Sequence, residues 1–193
     1  MNTAILAGLL VLAGLPCRAA QRLATGDFLN LPVDVRGLGM AEAGLALAEG
    51  PGAAATNPAA LCAVEAHHAY FTHAFQHSGI GSDFVAYGAT LGRHHFGASF
   101  FHVGYGTLPG RDDVGNPTGG FWPSDTVYGF NYGTDLYGVD LAGTLKLVES
   151  RVQASDETLT FDLGGRYRIG EDWAFGLVGK NINGELKFEG ENH

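Results

Sequence analysis

Cysteine, positive charge and long apolar runs are all scarce in this 193-residue chain. The cysteines are Cys17 and Cys62. Removal of a leader ending at Ala20 would leave Cys62 alone, so no intramolecular disulfide could staple the fold. Lys and Arg number 11 against 20 Asp and Glu, a net charge of −9. Such a balance argues against nucleic acid as a partner, which asks for a basic face. The longest apolar run, Ala4–Pro16, falls short of the ~20 residues that a membrane-spanning helix needs. A chain of this kind that crosses a bilayer must do so with strands closed into a barrel, the other way to satisfy backbone groups in lipid. Catalytic signatures are missing as well. There is no H-E-x-x-H, no phosphate-binding P-loop and no G-x-S-x-G. Gly37-Leu38-Gly39 starts like a dinucleotide fingerprint, but Glu42 occupies the third glycine position. No catalytic residue and no cofactor is assigned on this reading.

What is abundant is glycine, 30 residues, with aromatics at 11% and charged residues at only 16%. That mixture suits a β-rich wall with tight turns, and equally a soluble β-sandwich. Residues 1–20 read as a secretory signal peptide, with the apolar run followed by small residues at Ala19-Ala20. Residues 21–64 form an N-terminal segment. Within it, Leu31–Leu61 is rich in Gly and Ala and closes on Thr56-Asn57-Pro58-Ala59. Glu49–Gly52 reads as a turn. Asn57 is placed to cap a short helix or tight coil over 53–63, with Pro58 at its first position.

From residue 65 to 193 the period is two. Strands are expected over Ala66–His77, Ser82–Leu91, His95–Leu108, Thr126–Tyr132, Leu136–Val152, Thr158–Ile169, Trp173–Ile182 and Glu185–Phe188. Gly92-Arg93-His94 and Gly133-Thr134-Asp135 read as short turns, and Pro109–Ser124 as a long loop. Thr158–Ile169 alternates most cleanly, with Leu159, Phe161, Leu163, Tyr167 and Ile169 against Thr160, Asp162, Gly164, Arg166 and Arg168. Several expected strands are longer than the 5–6 residues of an ordinary globular strand, and a membrane strand needs about 9–11. Tyr105, Trp122, Tyr128, Tyr132, Tyr137, Tyr167 and Trp173 fall where interfacial girdles would lie. Eight histidines invite a metal reading, and His67, His73 and His77 share a strand phase. Neighbours four apart in an extended strand stand ~13 Å apart, too far to share a first shell, and no metal site is expected.

Three stretches carry a resemblance. They are Val35-Arg36-Gly37-Leu38-Gly39-Met40 with Ala43–Ala48, then Thr56-Asn57-Pro58-Ala59-Ala60-Leu61, and finally Phe161–Arg168 with Gly176-Leu177 and Lys180-Asn181. Together they make the chain resemble the PorV/PorQ family of outer-membrane barrels, relatives of the FadL-type transporters. The resemblance implies an all-β fold, an antiparallel transmembrane barrel of which roughly eight or nine strands are present, with a short helical plug. It implies truncation, since family members are usually longer. It implies a place in the bacterial outer membrane, among lipid. Asn57, Pro58 and Ala59 would form the hatch, and Asp140, Lys146, Asp162, Arg166 and Arg168 would face the lumen. Two roles follow from the resemblance: binding or transport of hydrophobic small molecules, and a type IX secretion shuttle that meets exported proteins at its loops. A soluble periplasmic β-protein is the reading from another class.

Overall fold

The computed structural model describes residues 26–76, 79–151, 155–170 and 172–183. The expected leader, His77, Val152 and the expected strand over Glu185–Phe188 lie outside these residues. Nine strands are described: β1 His67–Phe75, β2 Gly81–Leu91, β3 His94–Gly104, β4 Leu108–Arg111, β5 Pro117–Phe121, β6 Ser124–Leu136, β7 Val139–Arg151, β8 Ser155–Ile169 and β9 Trp173–Ile182. Seven of them make one antiparallel sheet in the order β1-β2-β3-β6-β7-β8-β9. The strands of this sheet follow sequence order, and β4 and β5 form a separate hairpin between β3 and β6.

The alternation of side chains sets what each face carries. On β2 the buried residues are Ser82, Phe84, Ala86 and Gly88, while Val85 and Tyr87 are exposed. The phase of β3, unclear from its phenylalanines, resolves in the same way. Phe96 and Phe100 point outward, and Phe101 belongs to the buried set. Register carries this pattern across the sheet. Phe71, Val85, Phe100, Tyr128, Leu147 and Leu159 stand opposite one another in a single row, and all are exposed. The opposite, inner face buries Ser82, His95, Asp125, Asn131, Thr144, Lys146, Asp162 and Arg166.

The N-terminal segment lies on that inner face. Asp34 caps helix α1 (Val35–Gly39), accepting from the backbone N–H of Arg36 and of Gly37. The expected turn at Glu49–Gly52 is instead the start of a helical turn, α2 (Gly50–Ala53), because Pro51 in its first turn gives up no hydrogen bond there. Asn57 does cap a helical turn, Pro58–Ala63, of the tighter 3₁₀ kind. Its Oδ1 accepts from Ala59 N at 3.1 Å. Ahead of these, Phe28 and Val33 close an apolar cluster with Phe84, Phe101, Val103, Val127 and Val148.

Three expected boundaries move. Gly133-Thr134-Asp135 is strand, paired in turn with Ala142, Leu141 and Asp140 of β7. The true turn is Tyr137-Gly138, with φ of 55° and 82°, the left-handed pair that a tight two-residue hairpin demands. His94 likewise belongs to β3, opposite Leu91. Pro109–Ser124 is not a bare loop. Asp112 accepts from Val114 N, Asn116 N and Asn116 Nδ2 and so builds a turn. That turn joins β4 to β5. These contacts, the Asn116 side chain first, hold the Asp112 carboxyl below the usual carboxylate range.

Candidate functional site

The site is the contact between the N-terminal segment and the inner face of the seven-stranded sheet. It begins with glycines. A Cβ on Gly164 of β8 would stand 2.2 Å from Asn57 Oδ1 and 2.8 Å from Pro58 Cδ. Glycine there lets the Asn57-Pro58-Ala59 backbone lie directly on the strand. The same holds along the floor. A Cβ on Gly97 would stand 3.1 Å from Leu61 Cδ1, one on Gly133 2.9 Å from Cys62 Sγ, and one on Gly176 3.1 Å from Ala46 Cα. Asn57, Pro58, Ala59, Ala60 and Leu61 are all buried. Full burial of one side chain such as Leu61 contributes on the order of 1.5–3 kcal/mol.

Polar contacts fix the segment on this floor. Asn57 Nδ2 donates to Leu45 O at 3.1 Å. Arg166 Nη1 donates to Ala48 O at 2.7 Å, and its Nε donates to Asp140 Oδ2 at 2.8 Å. Nη2 lies 2.6 Å from the same carboxylate oxygen, an ion-pair contact off the line of a hydrogen bond. Glu49 stands between two guanidinium groups, 3.6 Å from Arg36 and 3.4 Å from Arg168. At the far side, Tyr70 donates to Val33 O and accepts from Val35 N, while Thr72 donates to the same carbonyl.

A second charged pair sits further along the face. Lys146 Nζ is 2.7 Å from Asp162 Oδ1 and also reaches Asn181 Oδ1. Asp162 accepts from Asn181 N at 2.7 Å. Asn181 has φ of 54° and lies where the β8–β9 register shifts, between Phe161 and Leu163. That bulge sets two residues of β9, Lys180 and Asn181, against Asp162 alone. A cavity of about 70 Å³ opens beside the pair. Leu29, Leu31, Val33, Phe84, Phe101 and Val127 give it an apolar side, and Asn131, Thr144, Lys146, Asp162 and Lys180 a polar one.

All five charged residues expected to face inward do share the inner phase of β7 and β8. Asp140 pairs with Arg166 and Lys146 with Asp162, while Arg168 is half exposed at the rim against Glu49. Sequence reasoning missed Glu49, the Ala48 carbonyl, Asn181 and the glycine floor. The floor had a signal on two strands: Gly164 falls on the phase opposite Leu159, Phe161, Leu163, Tyr167 and Ile169, and Gly176 on the phase opposite Trp173, Phe175 and Leu177. Cys62 is half buried, and burial first, then the Asp140 charge, pushes its thiol up to about 12. Burial thus holds the thiol in its protonated form. Among the described residues no group of three His, Cys, Asp or Glu could hold a metal ion. No family model, no curated protein and no solved structure matches the chain.

Proposed function

We propose that this sheet is part of the wall of an outer-membrane β-barrel of the PorV/PorQ type, whose N-terminal segment plugs a passage for hydrophobic compounds. The observation that carries the reading is the inverted polarity of the sheet. Its outer face leaves Phe71, Val85, Tyr87, Phe100, Tyr128, Phe130, Leu145, Leu147, Leu159 and Leu163 exposed, while charged pairs lie buried on the inner face. An apolar surface of this extent in water is an aggregation hazard, and in lipid it is the required exterior.

The dimensions agree. Outward apolar positions run from Val139 to Leu147 on β7 and from Leu159 to Ile169 on β8, within the ~9–11 residues that cross a bilayer as a tilted strand. The band then stops. His73, Asp83, His102, Thr126, Glu149 and Glu157 form the next complete row. The longest connection, 105–123 with its hairpin, lies at that same end, and the tight turns at Gly92-Arg93 and Tyr137-Gly138 lie at the other. Long loops on one side and short turns on the other are the pattern of outer-membrane barrels.

Closure calls for more strands than these. With seven antiparallel strands in sequence order, β1 and β9 run the same way, so they cannot close on each other in antiparallel fashion. An odd number of additional strands restores the alternation. The plug also needs a far wall, since Val35, Leu38 and Leu47 are exposed on it. The cavity beside Lys146 is too small for a long-chain compound, so passage requires the plug to shift off its glycine floor. Uptake of labelled fatty acid into cells with and without the protein tests the transport role. Uptake that depends on the protein is expected, and equal uptake would remove this role.

A secretion shuttle is the second reading, favoured by one observation. The β4–β5 excursion carries exposed Val114 and Trp122 beyond the apolar band, a surface suited to a protein partner. A pull-down from the native membrane that recovers exported cargo would move the assignment to it.

A further inference from the structure

The cavity beside Lys146 is bounded by both parts of the molecule. Leu29, Leu31 and Val33 come from the N-terminal segment, and Phe84, Phe101 and Val127 from the sheet. A molecule held there touches both and resists their separation.

On the polar side of this cavity two buried side chains keep hydrogen-bonding capacity. Asn131 and Thr144 stand opposite each other on β6 and β7, 5% and 6% exposed. Asn131 Nδ2 donates to Thr144 Oγ1 at 2.5 Å. That leaves the amide oxygen of Asn131 and the hydroxyl proton of Thr144 without a partner among the described residues. Ser99, on the neighbouring strand β3, adds a hydroxyl to the same lining. One small space therefore offers both an acceptor and donors.

Charge and size narrow the occupant. The charged residues of the lining are Lys146 and Lys180 against Glu42 and Asp162, so they cancel. Lys146 is already matched by Asp162 at 2.7 Å. A bound carboxylate would add a net charge to a balanced and largely buried site, at a desolvation cost. A plain hydrocarbon would leave Asn131 and Thr144 unpaired, which is also costly. A hydroxyl group meets both needs, because it accepts from Thr144 and donates to Asn131. Benzene fills a cavity of ~150 Å³, so a space of about 70 Å³ admits roughly three or four non-hydrogen atoms.

We propose that this cavity binds a compact neutral alcohol, seated on Asn131 and Thr144, that holds the N-terminal segment against the sheet. The inference goes beyond the barrel reading and does not require it, since segment and sheet are in contact in either setting. In a barrel, such a ligand favours the plugged state, because it binds only while the segment is docked.

The test uses the full chain and 1-propanol, with propionate as the charged counterpart of equal length. Cys62 lies on the docked segment over Gly133, so its alkylation by maleimide reports how often the segment lifts. The labelling rate should fall hyperbolically with 1-propanol, about tenfold when the alcohol stands at roughly ten times its Kd. Saturation-transfer NMR should show the alcohol bound over the same concentrations. Propionate should do neither. Asn131→Leu with Thr144→Val replaces both partners by apolar groups of similar shape, a change that leaves stability nearly unaltered, and should abolish the protection. Equal slowing by 1-propanol in wild type and this variant marks a solvent effect and overturns the inference. Protection by propionate marks an anion site and overturns it as well. No protection and no saturation signal in wild type means that the cavity holds water only, and the inference falls. The comparison of 1-propanol with propionate needs wild type alone, so it decides even if the double variant does not fold. None of these outcomes bears on the barrel reading.

Discussion

The two faces of this sheet are built on opposite rules, and β8 displays both within a few residues. Gly164 and Gly165 are adjacent glycines on opposite faces. A Cβ on Gly164 would collide with Asn57 and Pro58, whereas one on Gly165 would meet Leu141 Cδ2 at 3.5 Å, an ordinary contact. Arg166 and Tyr167 repeat the contrast. Arg166 is buried and paired, while the ring beside it belongs to the outer row with Val139 and Phe175. The inner face is specified atom by atom, through hydrogen bonds and missing side chains. The outer face is specified only by being apolar. Substitutions should therefore be tolerated or rejected for different reasons on the two sides.

The largest effect is expected at Arg166. Arg166→Met leaves Asp140 and the Ala48 carbonyl without their cation, and breaking a buried pair in this way costs about 3–5 kcal/mol. The measurement is the urea midpoint of the protein in detergent. A double change, Arg166→Met with Asp140→Leu, should recover much of the loss, because the stranded carboxylate is gone. A single variant as stable as wild type would mean that the N-terminal segment does not rest on this pair.

Next is the outer face. Leu145 lies mid-band between Phe130 and Phe161. In a bilayer, Leu145→Arg should cost about 2–4 kcal/mol, the penalty for a cation on the lipid side near the midplane. For a soluble sheet the same change on an exposed position would be nearly neutral and would improve solubility. Refolding yield in vesicles against yield in water separates the two. Equal recovery of the variant in both would erase the contrast between the faces and favour the soluble reading.

How far the sequence reached follows the same division. Period-two alternation placed seven long strands, because large apolar residues recur on the outer phase along most of each strand. It misplaced the β6–β7 turn because Gly133 looked like a turn residue. In the fold that glycine is needed under Cys62, and the chain turns instead through Tyr137, a residue with no turn preference. The charged residues of the inner face were legible from phase alone. Their partners were not: Ala48 lies 118 residues from Arg166, and Asn181 reaches Lys146 only because a bulge turns it inward. The cap at Asn57-Pro58 was legible because its chemistry is local, whereas its docking onto Gly164 is a long-range contact that alternation does not encode.

A smaller effect is expected from the glycine pair itself, and it carries its own control. Gly164→Ala places a methyl group against Asn57 and Pro58, an overpacking worth about 1–3 kcal/mol. Gly165→Ala adds a methyl in ordinary contact with Leu141 and should change little. Cys62 gives the readout. With its thiol pushed up to about 12, almost none of it is thiolate at neutral pH, so alkylation is slow while the segment is docked. Displacing the segment returns Cys62 toward water and toward the ordinary thiol range near 8.5. Gly164→Ala should therefore speed maleimide labelling of Cys62, and Gly165→Ala should not. Equal labelling in the two variants would show that the glycine floor does not seat the segment.

The smallest effect is expected at the β6–β7 turn. Tyr137 is 97% exposed with φ of 55°, a conformation that costs most side chains roughly 1–2 kcal/mol and suits Asn better. In detergent, Tyr137→Asn should raise the urea midpoint slightly, because backbone strain is relieved and no packing is lost. In a bilayer the outcome depends on where the ring sits. A tyrosine at the lipid–water border contributes through its amphipathic ring, and its removal should cancel the gain. A gain in detergent that disappears in vesicles would place the β6–β7 turn at the border, on the same side as Arg93. A gain of equal size in both would put the turn beyond the headgroups, with Tyr132 and Trp173 left as the aromatic residues that mark the border.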